Sequence, residues 1–131
     1  MDVQLTAEGL ADPVLSRAVP AAGANIPAAQ WHQDNIVDLP QGAVLLLTNP
    51  ACRVQGYRVG DSAYGLQLHP ELDYDTFAEW AAESSDEALQ RSGVSAQQAN
   101  AAMLAAEPDL IRAWRPMSHA WADLVRRHAN A

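Results

Sequence analysis

The sequence has no lysine, and its eight arginines stand against sixteen aspartates and glutamates, for a formal net charge of −8. Binding a nucleic-acid backbone needs a cationic face, so that class of partner is excluded. A single cysteine, Cys52, leaves no internal disulfide possible and fits a reducing compartment. No apolar run approaches the roughly 20 residues that span a bilayer. The aliphatic stretch Ala43–Leu47 is far too short, and Met1 is followed by Asp2 and mixed polar residues rather than by the basic start and apolar core of a secretory signal. A cytoplasmic protein with no membrane contact is expected. Nucleotide and metal signatures are missing as well. Gly56, Gly60 and Gly65 are dispersed and form no phosphate cradle. His119 and His128 lie nine residues apart, not at the i, i+4 spacing of helical metal ligands. No cofactor and no metal are expected.

What is present is ample apolar material: 49% of 131 residues are hydrophobic and only 18% charged, with alanine at 26 positions. A chain of this size buries roughly two thirds of its surface, which suits one domain and excludes a disordered tail. The texture changes near residue 72. Before it, short strand patterns are punctuated by turns. Val3–Thr6 alternates, and a polar, Ala/Pro-rich stretch follows to about Ala29. Leu39-Pro40-Gln41-Gly42 reads as a turn. Ala43–Thr48 reads as a strand covered on both faces, Val54–Val59 as an alternating strand closed by Gly60-Asp61, and Tyr64–Leu68 as its neighbour. The last three are close enough for an antiparallel meander.

From Tyr74 the period becomes helical. Phe77, Trp80, Ala81 and Ser84 make one stripe, with Asp75 placed as its N-cap. A short helix is expected over Asp86–Ser92, ended by Gly93. Ser95-Ala96-Gln97-Gln98 is a capping box opening a helix through Ala106. Glu107-Pro108 opens another, whose stripe is Leu110, Trp114, Met117, Trp121, Leu124 and Val125, with Pro116 expected to kink or interrupt it. Helical spacing makes Trp80, Trp114 and Trp121 core-packing residues, or an interface with a missing half, rather than a pocket. Asp73, Asp75 and Glu79 follow the last strand without a ligand pattern.

The chemistry-bearing stretch is Leu68-His69-Pro70-Glu71. An imidazole at a strand end with a carboxylate two residues on can work as an acid–base pair, the carboxylate fixing the tautomer of the ring. Taken alone the pair is a weak signal and reads first as loop polar residues.

Its surroundings carry more. Trp31-His32-Gln33-Asp34, Leu39-Pro40-Gln41-Gly42, the strand Ala43–Thr48, Cys52-Arg53-Val54-Gln55-Gly56-Tyr57-Arg58 and Gly65-Leu66-Gln67-Leu68-His69-Pro70-Glu71 occur in one order. Over roughly residues 3 to 80 this resembles the C-terminal half of a class I glutamine amidotransferase domain, of the stand-alone type similar to that of GMP synthase. The resemblance implies an α/β, flavodoxin-like fold, of which residues 1–72 would supply later, mixed or antiparallel strands and residues 73–131 a helical tail. It implies a Cys–His–Glu triad acting on glutamine or a γ-glutamyl compound, with His69 as acid–base residue, Glu71 as its partner, and His32 and Asp34 lining the substrate side. Gln33 departs from the small residue usual at its position.

The family's Gly-x-Cys-x-Gly-x-Gln nucleophile elbow is not in these residues, and Cys52 matches a non-catalytic position. The chain is therefore expected to lack glutaminase activity alone. An N-terminal half would complete it, or self-association through an open sheet edge near Val44–Leu47 would cover it. The alternative is a non-catalytic binding module that keeps the scaffold.

Overall fold

The computed structural model describes residues 1–20, 24–84, 91 and 93–131. The expected short helix over Asp86–Ser92 falls on residues outside those described, Arg91 apart. Five strands form one antiparallel sheet: β1 (Asp2–Leu5), β2 (Ile26–Pro27), β3 (Ala43–Thr48), β4 (Gly56–Val59) and β5 (Ala63–Leu66), in the spatial order β2-β1-β3-β4-β5. The meander β3-β4-β5 lies where alternation and turn residues put it. Its hairpin closes at Gly60, whose φ of 59° suits glycine.

Strand β3 is interior, paired with β1 through Gln4–Thr48 and with β4 through Val44–Arg58. Val44–Leu47 therefore do not form an exposed edge, contrary to expectation; the edges belong to β2 and β5. The sequence hides the reason. β1 is separated from β3 by the Ala/Pro-rich stretch, yet returns to pair with it and covers the side that a bare meander would leave open. The covering is greatest at the C-terminal half of the strand, where β1 pairs with Leu47 and Thr48 and where Leu46 and Leu47 are wholly buried, while Val44 and Leu45 are half-buried.

The stretch between β1 and β2 also holds a helix that neither its composition nor its period announces, α1 (Ala7–Ala11). Thr6 caps it, accepting from Gly9 N–H at 3.0 Å while donating its hydroxyl to the Leu45 carbonyl at 2.7 Å. A register shift in β3 between Leu45 and Leu47 marks where α1 sits down on the strand. At Gly9 a Cβ would lie 2.1 Å from the Leu46 carbonyl oxygen, a backbone atom that cannot step aside. Gly9→Ala is thus expected to destabilise by about 3 kcal/mol through overpacking. Helix propensity alone would favour alanine by about 1 kcal/mol. A lower urea midpoint for the variant checks the sign.

The helical part is α2 (Tyr74–Glu83) and a single 34-residue α3 (Ala96–Ala129). The α2 cap is Asp73, not Asp75: its carboxylate accepts from Thr76 N–H at 2.9 Å. Those bonds to Thr76 hold its carboxyl below the usual range. α3 opens with the expected Ser95–Gln98 capping box, but it neither restarts at Glu107-Pro108 nor breaks at Pro116. Both prolines are exposed, and so are Leu104 and Arg112, whose carbonyls they leave without an i+4 donor. Water can serve those carbonyls, so the helix continues. Glu107, read from sequence as a helix start, instead reaches to α2 and accepts from Tyr74 N–H at 2.8 Å. Leu110, Trp114, Met117 and Leu124 are buried as their spacing requires, whereas Trp121 and Val125 are 40% and 48% exposed. Trp114 fastens α3 to the sheet, its indole N–H donating to the Pro27 carbonyl at 2.7 Å.

Beneath β4 and β5 lies a buried polar knot. The Asp12 side chain, wholly buried, accepts from the N–H groups of Val14 and Leu15 at 2.9 and 2.8 Å and from the Tyr64 hydroxyl at 3.2 Å. The Arg58 Nε lies 2.9 Å from its other oxygen, out of line for a hydrogen bond, so that contact is an ion pair. Burial, then the neighbouring Asp12 charge and hydrogen bond, push the Tyr64 hydroxyl up to about 12 from an ordinary 10.0. A raised folded-state value means the unfolded chain releases this proton first. Its contribution is intact below pH 10 and fades as pH rises toward 12. Urea midpoints across that window should fall more steeply for the wild type than for Tyr64→Phe.

Candidate functional site

Strand β5 runs on past its last ladder residue through Gln67, whose N–H donates to the Gln55 carbonyl at 2.9 Å, and then delivers His69 to the sheet end. The His69 N–H donates to the Ala29 carbonyl at 3.0 Å. That backbone tie, across 40 positions of sequence, brings the His-Pro-Glu loop beside the segment carrying Trp31, His32 and Asp34, so the two sequence motifs share one end of the sheet.

His69 Nδ1 lies 2.9 Å from Glu71 Oε1. A carboxylate accepts only, so Nδ1 carries a proton and Nε2 is the nitrogen left to take one from elsewhere. Nε2 has no hydrogen-bond partner among the described residues. The ring is 29% exposed and its partner Glu71 66% exposed, so the pair stands open at the surface of this chain. Its orientation is fixed from the side by Trp80, met edge-to-face with ring centroids 5.1 Å apart.

That contact is the end of an aromatic chain. Trp31 packs edge-on against Phe77 at 5.2 Å and near Trp80 at 6.3 Å. The stripe on α2 therefore does more than fill the core: Phe77 and Ala81 are buried, and Trp80, half-buried, sets the ring of His69. Helical spacing signalled packing and could not signal that neighbour.

His32 and Asp34 lie on a loop held by three glutamine side chains. Gln67 accepts from Ile36 N–H at 3.0 Å and donates to the Asp34 carbonyl at 3.3 Å. His32 Nδ1 is 3.0 Å from the Asp34 carbonyl and its Nε2 is 2.7 Å from Gln30 Oε1. Gln30 in turn meets the wholly buried Gln55 at 3.0 Å. Sequence reasoning gave these glutamines no role; a buried polar residue at a strand start, as at Gln55, is the signal that could have done so.

Cys52 is elsewhere. It is buried in the β3–β4 connection, its N–H donating to Asn49 Oδ1 at 2.7 Å and its thiol to the Val54 carbonyl at 3.5 Å. Among the described residues no imidazole or carboxylate hydrogen-bonds the sulfur. An apolar groove of about 630 Å³ runs between Ala28–Gln33, Phe77 and the Met103–Leu110 face of α3, and neither His69 nor Glu71 lines it. No group of three or more His, Cys, Asp or Glu that could hold a metal occurs among the described residues. No described helix is long and apolar enough to cross a membrane.

This antiparallel sheet with its closing helices is the fold of part of a glutamine amidotransferase domain. A glutamine amidotransferase from Thermotoga maritima superposes with a TM-score of 0.71 at 22% identity, covering 92% of this chain and 48% of that one. Another, from Methylobacillus flagellatus, gives 0.70 at 20% identity, covering 93% and 50%. By sequence the chain is 30% identical over 88 residues to gamma-glutamyl peptidase 3 of Arabidopsis thaliana, which is 67% of this chain and 35% of that protein. The chain thus spans about half the length of the solved structures and about a third of the curated relative. No family model matches it.

Proposed function

We propose that residues 1–131 carry the histidine–glutamate part of a class I glutamine amidotransferase-like site, that the amide of glutamine or of a γ-glutamyl compound is its substrate, and that the attacking thiol comes from outside these residues. The observation that carries the reading is the His69–Glu71 pair at the sheet end, with Nδ1 engaged and Nε2 without a hydrogen-bond partner among the described residues. In this reading Nε2 takes the thiol proton. The thiolate adds to the carboxamide carbon, the C–N bond breaks, and His69 returns the proton to the departing ammonia; water then cleaves the thioester. Glu71 holds the ring and stabilises its cationic form. His32 and Asp34 belong to the loop on the substrate side.

The absence of a Gly-x-Cys-x-Gly-x-Gln elbow from these residues and the inert setting of Cys52 support the proposal that the 131 residues alone do not hydrolyse glutamine. The test is ammonia release from glutamine and from γ-glutamyl peptides, measured on the 131-residue chain and on the native polypeptide or complex isolated through it. Activity in the second alone, abolished by a thiol alkylator whose site maps outside residues 1–131, is expected. Turnover by the 131 residues alone, lost on Cys52→Ala, would overturn it.

A further inference from the structure

The side chains of His32, Gln30 and Gln55 form a chain whose proton arrangement fits badly in one orientation and well in another. His32 Nδ1 faces the Asp34 carbonyl, which can only accept, and Nε2 faces Gln30 Oε1, which also only accepts. A ring with acceptors at both nitrogens must carry two protons, yet no carboxylate is among its hydrogen-bond partners. At the far end Gln55, wholly buried, has its Oε1 occupied by Gln30 while its amino group has no partner among the described residues. A buried donor without an acceptor is among the costliest defects a fold can hold. A half-turn of a carboxamide exchanges its oxygen and nitrogen within almost the same volume, so partners alone decide between the two.

We propose that both glutamine amides are turned the other way in the folded chain, so that Gln55 donates to Gln30, Gln30 donates to His32 Nε2, and His32 is held as the neutral ring with its proton on Nδ1. The misfit at His32 then resolves. Nδ1–H donates to the Asp34 carbonyl, and Nε2 accepts. The buried group left over at Gln55 is a carbonyl oxygen, which tolerates the lack of a partner better than an amino group. Neither amide can turn without the other, since two oxygens or two amino groups would otherwise meet at 3.0 Å.

Gln55 is on this account a positioning residue. It reads out at His32 through Gln30 and fixes the loop that Gln67 holds from the other side. In the substrate-side role proposed for His32, on which this consequence alone rests, both ring nitrogens are already taken by the chain. His32 then shapes the loop and trades no proton with a bound amide.

The experiment is ¹⁵N–¹H NMR of the histidine rings in the 131-residue chain, about two units above the ordinary imidazole pKa of roughly 6.5. His32 is assigned by its loss in His32→Gln. Expected is Nδ1 in the protonated range and Nε2 in the unprotonated range. A proton on Nε2, in either the other neutral tautomer or the doubly protonated ring, overturns the proposal. Gln55→Met, of similar size but without the donor, is expected to shift the His32 ring nitrogens toward a mixture of tautomers. Ring resonances unchanged in a folded Gln55→Met chain would also overturn it. If that variant does not fold, Gln30→Met, at a half-buried position, removes the same link and is read the same way. Since the readout is a tautomer and not a rate, its result is independent of whether glutamine is the substrate.

Discussion

Asp12→Ala is expected to be the most damaging single substitution in the structural part of the chain, lowering stability by about 3–5 kcal/mol. Removing one partner of a buried charge cluster leaves the others without compensation. Here three kinds of group lose their partner together: the N–H groups of Val14 and Leu15, both 1% exposed, and the Tyr64 hydroxyl lose an acceptor, and the Arg58 guanidinium loses its counter-charge. Arg58, with a side chain 24% exposed, can turn to water, which keeps the loss toward the lower end. The two buried N–H groups cannot. A domain of this size has about 5–15 kcal/mol in all, so the variant should be partly unfolded near the top of the mesophilic range. Asp12→Asn separates the two contributions. It keeps an acceptor oxygen for Val14 and Leu15 and gives up the charge opposite Arg58, so its urea midpoint should lie between those of wild type and alanine. An alanine variant as stable as wild type would mean the knot is ornamental.

The knot also marks how far the sequence could be read. Asp12 sits in a stretch that looks like a polar linker, and what makes it structural is a set of partners 46 and 52 positions away, at Arg58 and Tyr64. The β3-β4-β5 meander was legible because its pairings are local and its turns carry glycine and proline. The pairing of β1 with β3 was not, because nothing in a four-residue strand says which neighbour it returns to. The helix α3 was legible as a stripe and misread as two helices. Proline is disfavoured in helices on average, but Pro108 and Pro116 fall on the exposed side, where that penalty is smallest. At the site, motif order pointed to His69, Glu71, His32 and Asp34, and the fold brings the two loops that carry them to one end of the sheet. Trp80 and Gln55 were read as packing or not at all, because their importance lies in which ring or amide they touch.

On the proposed reading, replacing His69 by asparagine in the native polypeptide or complex isolated through this chain is expected to lower kcat for amide hydrolysis by about 10²–10⁴, the usual span for loss of a positioned acid–base group. Asparagine keeps a donor toward Glu71 and so spares the loop, while removing the nitrogen that moves the proton. Glu71→Gln should behave differently, and the size of its effect carries separate information. As the chain stands, Glu71 is 66% exposed. A carboxylate facing an imidazolium in water is worth about 1 kcal/mol, so the variant should lose no more than about tenfold in rate. If the rest of the protein closes over this loop, the same pair moves to an effective dielectric near 20. Its worth rises to about 4 kcal/mol, and the loss approaches about a thousandfold. Stability is the control, since a pair at an exposed loop should leave the urea midpoint within about 0.5 kcal/mol of wild type in both variants. A large kinetic loss for Glu71→Gln with an unchanged midpoint would therefore report that His69 and Glu71 work under cover, with the thiol brought to Nε2 from the covering side. Full activity in His69→Asn would remove the acid–base assignment altogether.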